Sequence, residues 1–547
     1  MADSHEQVLD AIVVGAGMAG LYMTKRLKDQ GLNFRTFEAG AGVGGAWFWN
    51  RYPGCRADLP IIEYSYSFSR ELEQEWDWSE VMAPQPEIER YLNHVADRFD
   101  LRRHIQFETK VTDAIYDEKA NRWTVTTDRG ETLTATYCIL ATGCLNEPNY
   151  PNFKNAEAFQ GQVYHTAKWP AEGVDLTGKR VAIVGCGSSG VQAIPEIAKQ
   201  AAQLIAFQRS PVYTFPARNA PMKPEFLAQA KQDYAEIRER QRNNEMGIAN
   251  YNGPKKPADP NKPAKPKPSR KILELTPEQR KAEIQQFGIN VLSGYVDTYF
   301  NPEANEIACQ LYREHLQETL DAQKADALSP KNYPLHCKRP VIDTNYYEAF
   351  QQDHVSIVDL RETPVVEVTP KGLRTTDAEY EFDVLVYATG FDAMTGTIMR
   401  MNIRGRDGQL LADKWKNGPR MYMGLQAVGF PNFFTVTGPG SPSVVSNVLH
   451  SIEQHVEWID ECISYLRANG IKTIEPEQAA EDAWIEHVNE AGKGSMMTAP
   501  SCNSWYLGSN VDGKPQGIMP YLGGTKTYRE KCEEVVANGY KGFALAS

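Results

Sequence analysis

The chain has 547 residues, with 58 Lys and Arg against 70 Asp and Glu, for a formal net charge of −12. Its 41% hydrophobic and 23% charged residues exclude a disordered chain, and at roughly 100–200 residues per domain the length allows three or four domain-sized units. The acidic balance argues against a nucleic-acid binder, no run of about 18 apolar residues is available to span a bilayer, and the polar Met1–Gln7 is unlike a signal or transit peptide, so a cytoplasmic protein with no nucleic-acid or membrane partner is expected.

Asp10-Ala-Ile-Val-Val14 is a short apolar run of the kind a buried parallel strand shows. Gly15-Ala-Gly17-Met-Ala-Gly20 follows at once, and residues 21–30 are predicted as a helix. Such glycines permit a tight turn, close approach of a pyrophosphate and close packing of helix on strand, and the helix N-terminus offers free N–H groups to the phosphate. A second strand, Phe34–Phe37, ends at Glu38, whose carboxylate can accept hydrogen bonds from both ribose hydroxyls. Cys138-Ile-Leu-Ala141-Thr142-Gly143 is an apolar strand leaving this unit through a glycine.

The pattern recurs. Val181–Val184 is predicted as a strand, followed by Gly185-Cys-Gly187-Ser188-Ser189-Gly190 and a helix near 191–200. The next strand, Leu204–Phe207, runs into Gln208-Arg209-Ser210, so a cation and a hydroxyl stand where the first unit has its acid. A carboxylate there repels a 2′-phosphate and an arginine binds it. The first unit therefore suits FAD and the second NADPH rather than NADH. Helix-like stretches at Lys231–Asn243 and Pro277–Tyr299 flank a Lys/Pro-rich run over 253–270, expected as a solvated loop. Leu385-Val-Tyr-Ala388-Thr389-Gly390-Phe391-Asp392 is a second strand ending in Ala-Thr-Gly, and two such exits beside two Gly-rich turns imply two dinucleotides. Val444, Val448, Ile452, Val456, Ile459 and Ile463 follow helical spacing over 443–467.

Nine scattered cysteines with no C-x-x-C disfavour a disulfide framework, a zinc ribbon or a thioredoxin-like pair. The ten histidines form no ligand cluster, and His450 and His455 are expected as ordinary helix residues, so no metal is predicted. Zincin and G-x-S-x-G hydrolase motifs are absent.

Two longer patterns carry a resemblance. Phe159-Gln-Gly161-Gln-Val-Tyr-His165-Thr-Ala-Lys-Trp169-Pro170 and Gly44-Gly45-Ala-Trp47-Phe-Trp-Asn-Arg-Tyr52-Pro53-Gly54-Cys-Arg-Ala-Asp58 resemble the two fingerprints of class B flavin monooxygenases of the Baeyer–Villiger kind, nearer the phenylacetone than the cyclohexanone branch. The resemblance implies an α/β fold of two Rossmann-like dinucleotide-binding domains, for FAD and NADP, with a helical insertion. The FAD domain is expected at 1–145 and 385–547, with a mobile loop near 495–515, the NADP domain at 146–215 and 331–384, and the insertion at 216–330.

The resemblance also implies the reaction: NADPH reduces FAD, O₂ gives a C4a-peroxyflavin, and one oxygen is inserted beside an aromatic or cyclic ketone carbonyl to give an ester or lactone. In Leu335-His-Cys-Lys338-Arg339-Pro340, Arg339 is then the catalytic cation, Asp58 its orienting carboxylate, and Lys338 joins Arg209 and Ser210 around the 2′-phosphate. Trp47, Tyr64 and Val111 match positions around the flavin, Trp505 lies against NADP in the Gly-rich segment 503–515, and Ser443, Val444 and Val445 line the substrate pocket. His165 and Trp169 are read as organising domain motion. An N- or S-oxygenating flavin monooxygenase and a non-oxygenating FAD/NADPH redox sensor are the alternatives; the first group usually lacks a tryptophan at the position of Trp169.

Overall fold

The computed structural model describes residues 8–253 and 270–547; Met1–Gln7 and all but the two ends of the Lys/Pro-rich run lie outside the described residues. Strand Leu9–Val14 sits between two parallel neighbours, Phe34–Phe37 and Thr132–Leu140, with Val14 level with Phe37 and Leu140. Apolar runs such as Ala11–Val14 are buried on both faces, as a central parallel strand must be. The sheet extends outward from Thr132–Leu140 through the antiparallel hairpin partners Arg122–Thr127 and Val111–Asp117. Where that hairpin ends, Phe433–Thr435 takes its place beside Cys138–Leu140, so the C-terminal part of the chain returns to this sheet.

The second sheet is all parallel, in the order Val355–Asp359, Gln203–Gln208, Arg180–Val184, Val384–Tyr387 and Gln162–His165. Val384–Tyr387 is one of its interior strands, so the domain boundary expected at 384/385 falls inside a strand and the second unit runs on to Tyr387.

The predicted helices appear at Met18–Asp29, Ser188–Ala198, Pro224–Arg242 and Val448–Ala468. The last buries Val456, Ile459 and Ile463 under the first sheet and is joined to Met18–Asp29 by Tyr22 Oη donating to Glu457 at 3.0 Å. The stretch Pro277–Tyr299 is not one helix. It is helical to Phe287, Gly288 takes φ +80°, and two 3-10 turns, Ile289–Gly294 and Val296–Tyr299, follow. Val448, Ile452 and the other apolar positions of 443–467 form a helix only from Val448, which Asn447 caps by accepting from Leu449 N. His455 is structural: Nδ1 accepts from Thr437 N at 3.0 Å and Nε2 pairs with Tyr528 Oη at 2.8 Å.

Candidate active site

The two Gly-rich turns are built alike. Gly15 and Gly185 both have φ +105°, and a Cβ on either would stand 2.5 Å from the carbonyl oxygen of Ala141 or Ala388. Those alanines open the two Ala-Thr-Gly segments, so each exit strand forms the floor against which its own glycine turn packs. A Cβ on Gly20 or Gly190 would strike the carbonyl oxygen of Gly15 or Gly185 at 1.8 or 2.2 Å, which seats each helix on its turn. Gly17 and Gly187 are the helix N-caps and provide no side-chain cap, leaving the first-turn N–H groups for a ligand.

At the first turn Glu38 is 5% exposed and accepts from Ala16 N and Gly40 N, both at 2.7 Å. Burial pushes its carboxyl up, while the backbone N–H groups hold it down, and each oxygen keeps a lone pair for a ribose hydroxyl. This donor and acceptor set fits an adenine dinucleotide. Val111, which opens its strand, is buried in an apolar cluster with Val14 and Phe37. Trp47 and Tyr64 pair instead, Trp47 Nε1 donating to Tyr64 Oη at 3.3 Å.

At the second turn a Cβ on Gly187 would meet open space, Ser188 is exposed and Ser189 half-buried. Arg209 is exposed and Ser210 half-buried, just past strand Gln203–Gln208. Lys338 comes from the other side of the insertion; burial and then the Arg209 charge lower its pKa to about 8. Lys338 and Arg209, brought together with no ion pair to an acidic residue among the described residues, fit a phosphate. Tyr333, which sequence reasoning missed, joins the two halves: its ring lies 4.8 Å under Lys338 Nζ and its hydroxyl donates to Pro211 O.

Arg339 lies between the two units. Its Nη2 is 2.9 Å from Asp58 Oδ2, and its Nη1 donates to Val444 O at 3.3 Å, so the expected cation, its carboxylate and the expected pocket loop meet. The Asp58 charge raises the arginine's pKa against the desolvation that lowers it. Ser443 is fully buried at φ +41°, a strained conformation for a residue with a Cβ, in the loop that aims Val444. Val444, Val445, Leu145, Phe391, Tyr506 and Trp505 belong to one apolar cluster beside Arg339.

The segment carrying Trp505 is fastened by residues that the motif reading passed over. Lys514 Nζ donates to Asp392 Oδ1 and Ala393 O, both at 2.6 Å, and Asn510 Nδ2 donates to Phe391 O at 2.9 Å. Asp392 stands directly after the second Ala-Thr-Gly-Phe, a signal that was in view. The fingerprint Tyr52–Asp58 docks on the second unit: Tyr52 Oη donates to Gln192 Oε1 at 2.8 Å and Gln192 Nε2 to Arg56 O at 3.2 Å. A Cβ on Gly54 would lie 2.2 Å from Gln192 O. Trp169 shares the buried cluster of Tyr52 and Cys55, and His165 Nε2 lies 3.4 Å from Thr389 Oγ1, at the crossing between the sheets. One cysteine expectation is corrected: Cys337 and Cys502 are disulfide-bonded across 165 residues, a pairing that sequence spacing does not reveal because only the fold brings the two loops together.

A family model described as pyridine nucleotide-disulphide oxidoreductase matches residues 12–232, the first sheet's leading part and the start of the second. Over the whole length, a Baeyer–Villiger monooxygenase of Pseudooceanicola batsensis is 39% identical across 534 residues, 97% of this chain and 95% of that one. The chain belongs to the Baeyer–Villiger monooxygenase family. Two solved structures agree with this chain's fold: an oxidized steroid monooxygenase bound to NADP, with TM-score 0.90 and 45% identity over 99% of this chain and 100% of that one, and an OTEMO complex with FAD and NADP, with TM-score 0.90 and 38% identity over 98% and 99%. In this Baeyer–Villiger monooxygenase no helix among the described residues is long and apolar enough to cross a membrane, and no group of His, Cys, Asp and Glu among them could hold a metal ion.

Proposed function

We propose that this chain is a cytoplasmic, FAD- and NADPH-dependent enzyme that converts an aromatic or cyclic ketone to an ester or lactone with O₂ as oxidant. When bound and reduced by NADPH, the flavin supplies the activated oxygen. Everything else falls to the chain's own residues. Gly15, Gly17 and Gly20 present backbone N–H groups to the FAD pyrophosphate and Glu38 takes the ribose, with Val111, Trp47 and Tyr64 supporting the rest of the cofactor. Gly185, Gly187, Ser188, Ser189 and Gly190 do the same for NADPH, and Arg209, Ser210 and Lys338 hold its 2′-phosphate.

Arg339 stabilises the negative charge that develops on oxygen, first on the attacking oxidant and then on the former carbonyl oxygen. A fixed cation already turned towards that place needs no reorganisation during the reaction. Asp58 keeps the guanidinium oriented and charged. Ser443, Val444 and Val445 present the ketone with Trp505 over the cleft, and the apolar walls exclude water. The observation that carries this reading is Arg339 held at 2.9 Å by Asp58 and at 3.3 Å by the Val444 carbonyl at the edge of an apolar cluster. Incubation of the holoenzyme with NADPH, phenylacetone and isotopically labelled O₂ tests it. An ester carrying one labelled oxygen supports it; NADPH consumption that yields hydrogen peroxide and no ester overturns it.

A further inference from the structure

The Cys337–Cys502 disulfide has no part in the oxygenation chemistry, yet its position is specific. Cys337 immediately precedes Lys338 and Arg339, and Cys502 stands three residues before Trp505 on the segment that covers the cleft. Their Cα atoms are 5.6 Å apart and the two residues are 0% and 1% exposed. The other seven cysteines are free. Lys514 and Asn510 fasten one end of the covering segment to Phe391–Ala393, and the disulfide fastens the other end to the strand-loop carrying the catalytic cation. Trp505 and Tyr506, rings 4.3 Å apart, lie between the two fastenings. In a reducing cytoplasm a single disulfide in such a place is a redox-sensing rather than a structural feature.

We propose that Cys337 and Cys502 are a reversible oxidation site, with hydrogen peroxide as the oxidant, whose disulfide pins the covering segment onto the Lys338–Arg339 loop. The inference rests on reading that segment as the element that closes over the nucleotide. With the segment lifted, the Cys502 thiolate attacks one peroxide oxygen; an S–O bond forms, the O–O bond breaks, and the leaving oxygen departs as water with the thiol proton. The Cys337 sulfur then displaces the sulfenic hydroxyl, which leaves as water with the second proton, and the S–S bond forms. Two thiols and one hydrogen peroxide thus become one disulfide and two waters, each sulfur losing one electron to the peroxide oxygens. A dithiol reverses the change through a mixed disulfide. An oxygenase that fails to transfer its activated oxygen releases hydrogen peroxide beside this pair, so wasteful turnover produces its own brake. The pinned segment cannot lift, nucleotide exchange slows, and Arg339 with Asp58 is left intact.

The test uses holoenzyme treated with hydrogen peroxide, then divided with and without dithiothreitol, alkylated in denaturant and mapped by peptide mass. Seven alkylated cysteines and one Cys337–Cys502 cross-linked peptide are expected after peroxide, and nine alkylated cysteines after dithiothreitol. NADP⁺ release, followed through the flavin spectrum, is expected to be slow in the oxidised enzyme, to recover on reduction, and to ignore peroxide in Cys502→Ser and in Cys337→Ala. Nine alkylated cysteines after peroxide overturn the site. A cross-link that leaves NADP⁺ release unchanged overturns the pinning. Ester formation by the reduced enzyme, assayed in parallel, bears on the oxygenation reading alone, so the two can fail separately.

Discussion

Arg339 carries its charge into a mostly apolar cleft, and its neighbours decide where that charge points. Replacing it with alanine leaves both dinucleotide cradles untouched, so Arg339→Ala is expected to bind FAD and to be reduced by NADPH. Ester formation should fall on the order of 10²–10³-fold, the usual loss when a preorganised charge is removed. Rapid-mixing reduction and product assay separate the two steps, and near wild-type ester formation would remove Arg339 from its role. Lys338 makes a second residue-scale prediction. With its pKa lowered to about 8, it is charged below that pH and loses its proton as pH rises through it. NADPH affinity should therefore weaken above about pH 8 while NADH affinity stays flat, since only the 2′-phosphate needs this cation. Tyr333→Leu removes the ring under the ammonium and the bond to Pro211, and with the ring's attraction for the charged form gone the break in the NADPH profile should move to lower pH. A break that stays in place would show that the ring does not set it. The Lys-Arg pair and Arg209 were legible in the sequence, one through family resemblance and one through its place after a strand. Tyr333 was not, because its two contacts reach Pro211 and Lys338 from opposite sides of the insertion.

At the scale of elements, each glycine turn is bound to its own exit strand, and the two pairs can be separated experimentally. A Cβ at Gly15 or Gly185 meets an alanine carbonyl oxygen at 2.5 Å with φ already at +105°, so the strain of about 1–3 kcal/mol falls on one cradle at a time. Gly15→Ala is expected to purify without flavin. Gly185→Ala is expected to stay yellow and yet not be reduced by NADPH. The ratio of flavin to protein absorbance and an anaerobic NADPH titration read both, and the reverse pattern would exchange the cofactors between the cradles. The central strands were readable because Ala11–Val14 and Val181–Val184 are apolar runs that only a buried strand accommodates. The Ala-Thr-Gly segments were readable as turns, but their alanine carbonyls as the floor of each cradle were not. Side-chain pattern also could not say which sheet Val384–Tyr387 joins, because hydrogen bonding to Arg180–Val184 and Gln162–His165 decides that and leaves no trace in its apolar character. Helical spacing ran past Gly288 for a similar reason: the residues after it keep the pattern while the backbone turns left-handed.

For the whole molecule the question is how two dinucleotide units and one covering segment act together. The fingerprint over Tyr52–Asp58 joins the units, Tyr52 and Arg56 gripping Gln192 while Asp58 reaches Arg339. Its pattern was visible in the sequence, its purpose was not, since Gln192 lies in the other domain. The covering segment depends on Lys514, 9% exposed, and Asp392, 15% exposed. Removing the lysine leaves Asp392 with Arg400 at 2.9 Å, so the acid stays paired and the cost is confined to the segment. Lys514→Met is therefore expected to melt near the wild-type temperature, since neither sheet is touched. In enzyme kept reduced, so that no disulfide holds the other end, proteolysis within 495–515 should quicken and a larger share of the NADPH consumed should appear as hydrogen peroxide. Unlatching lets water reach the cleft before oxygen is transferred, so that the activated oxygen leaves as hydrogen peroxide instead of entering an ester, without altering Arg339. Protease resistance and coupling both equal to wild type would place the latch elsewhere, on Asn510 and the Phe391 carbonyl.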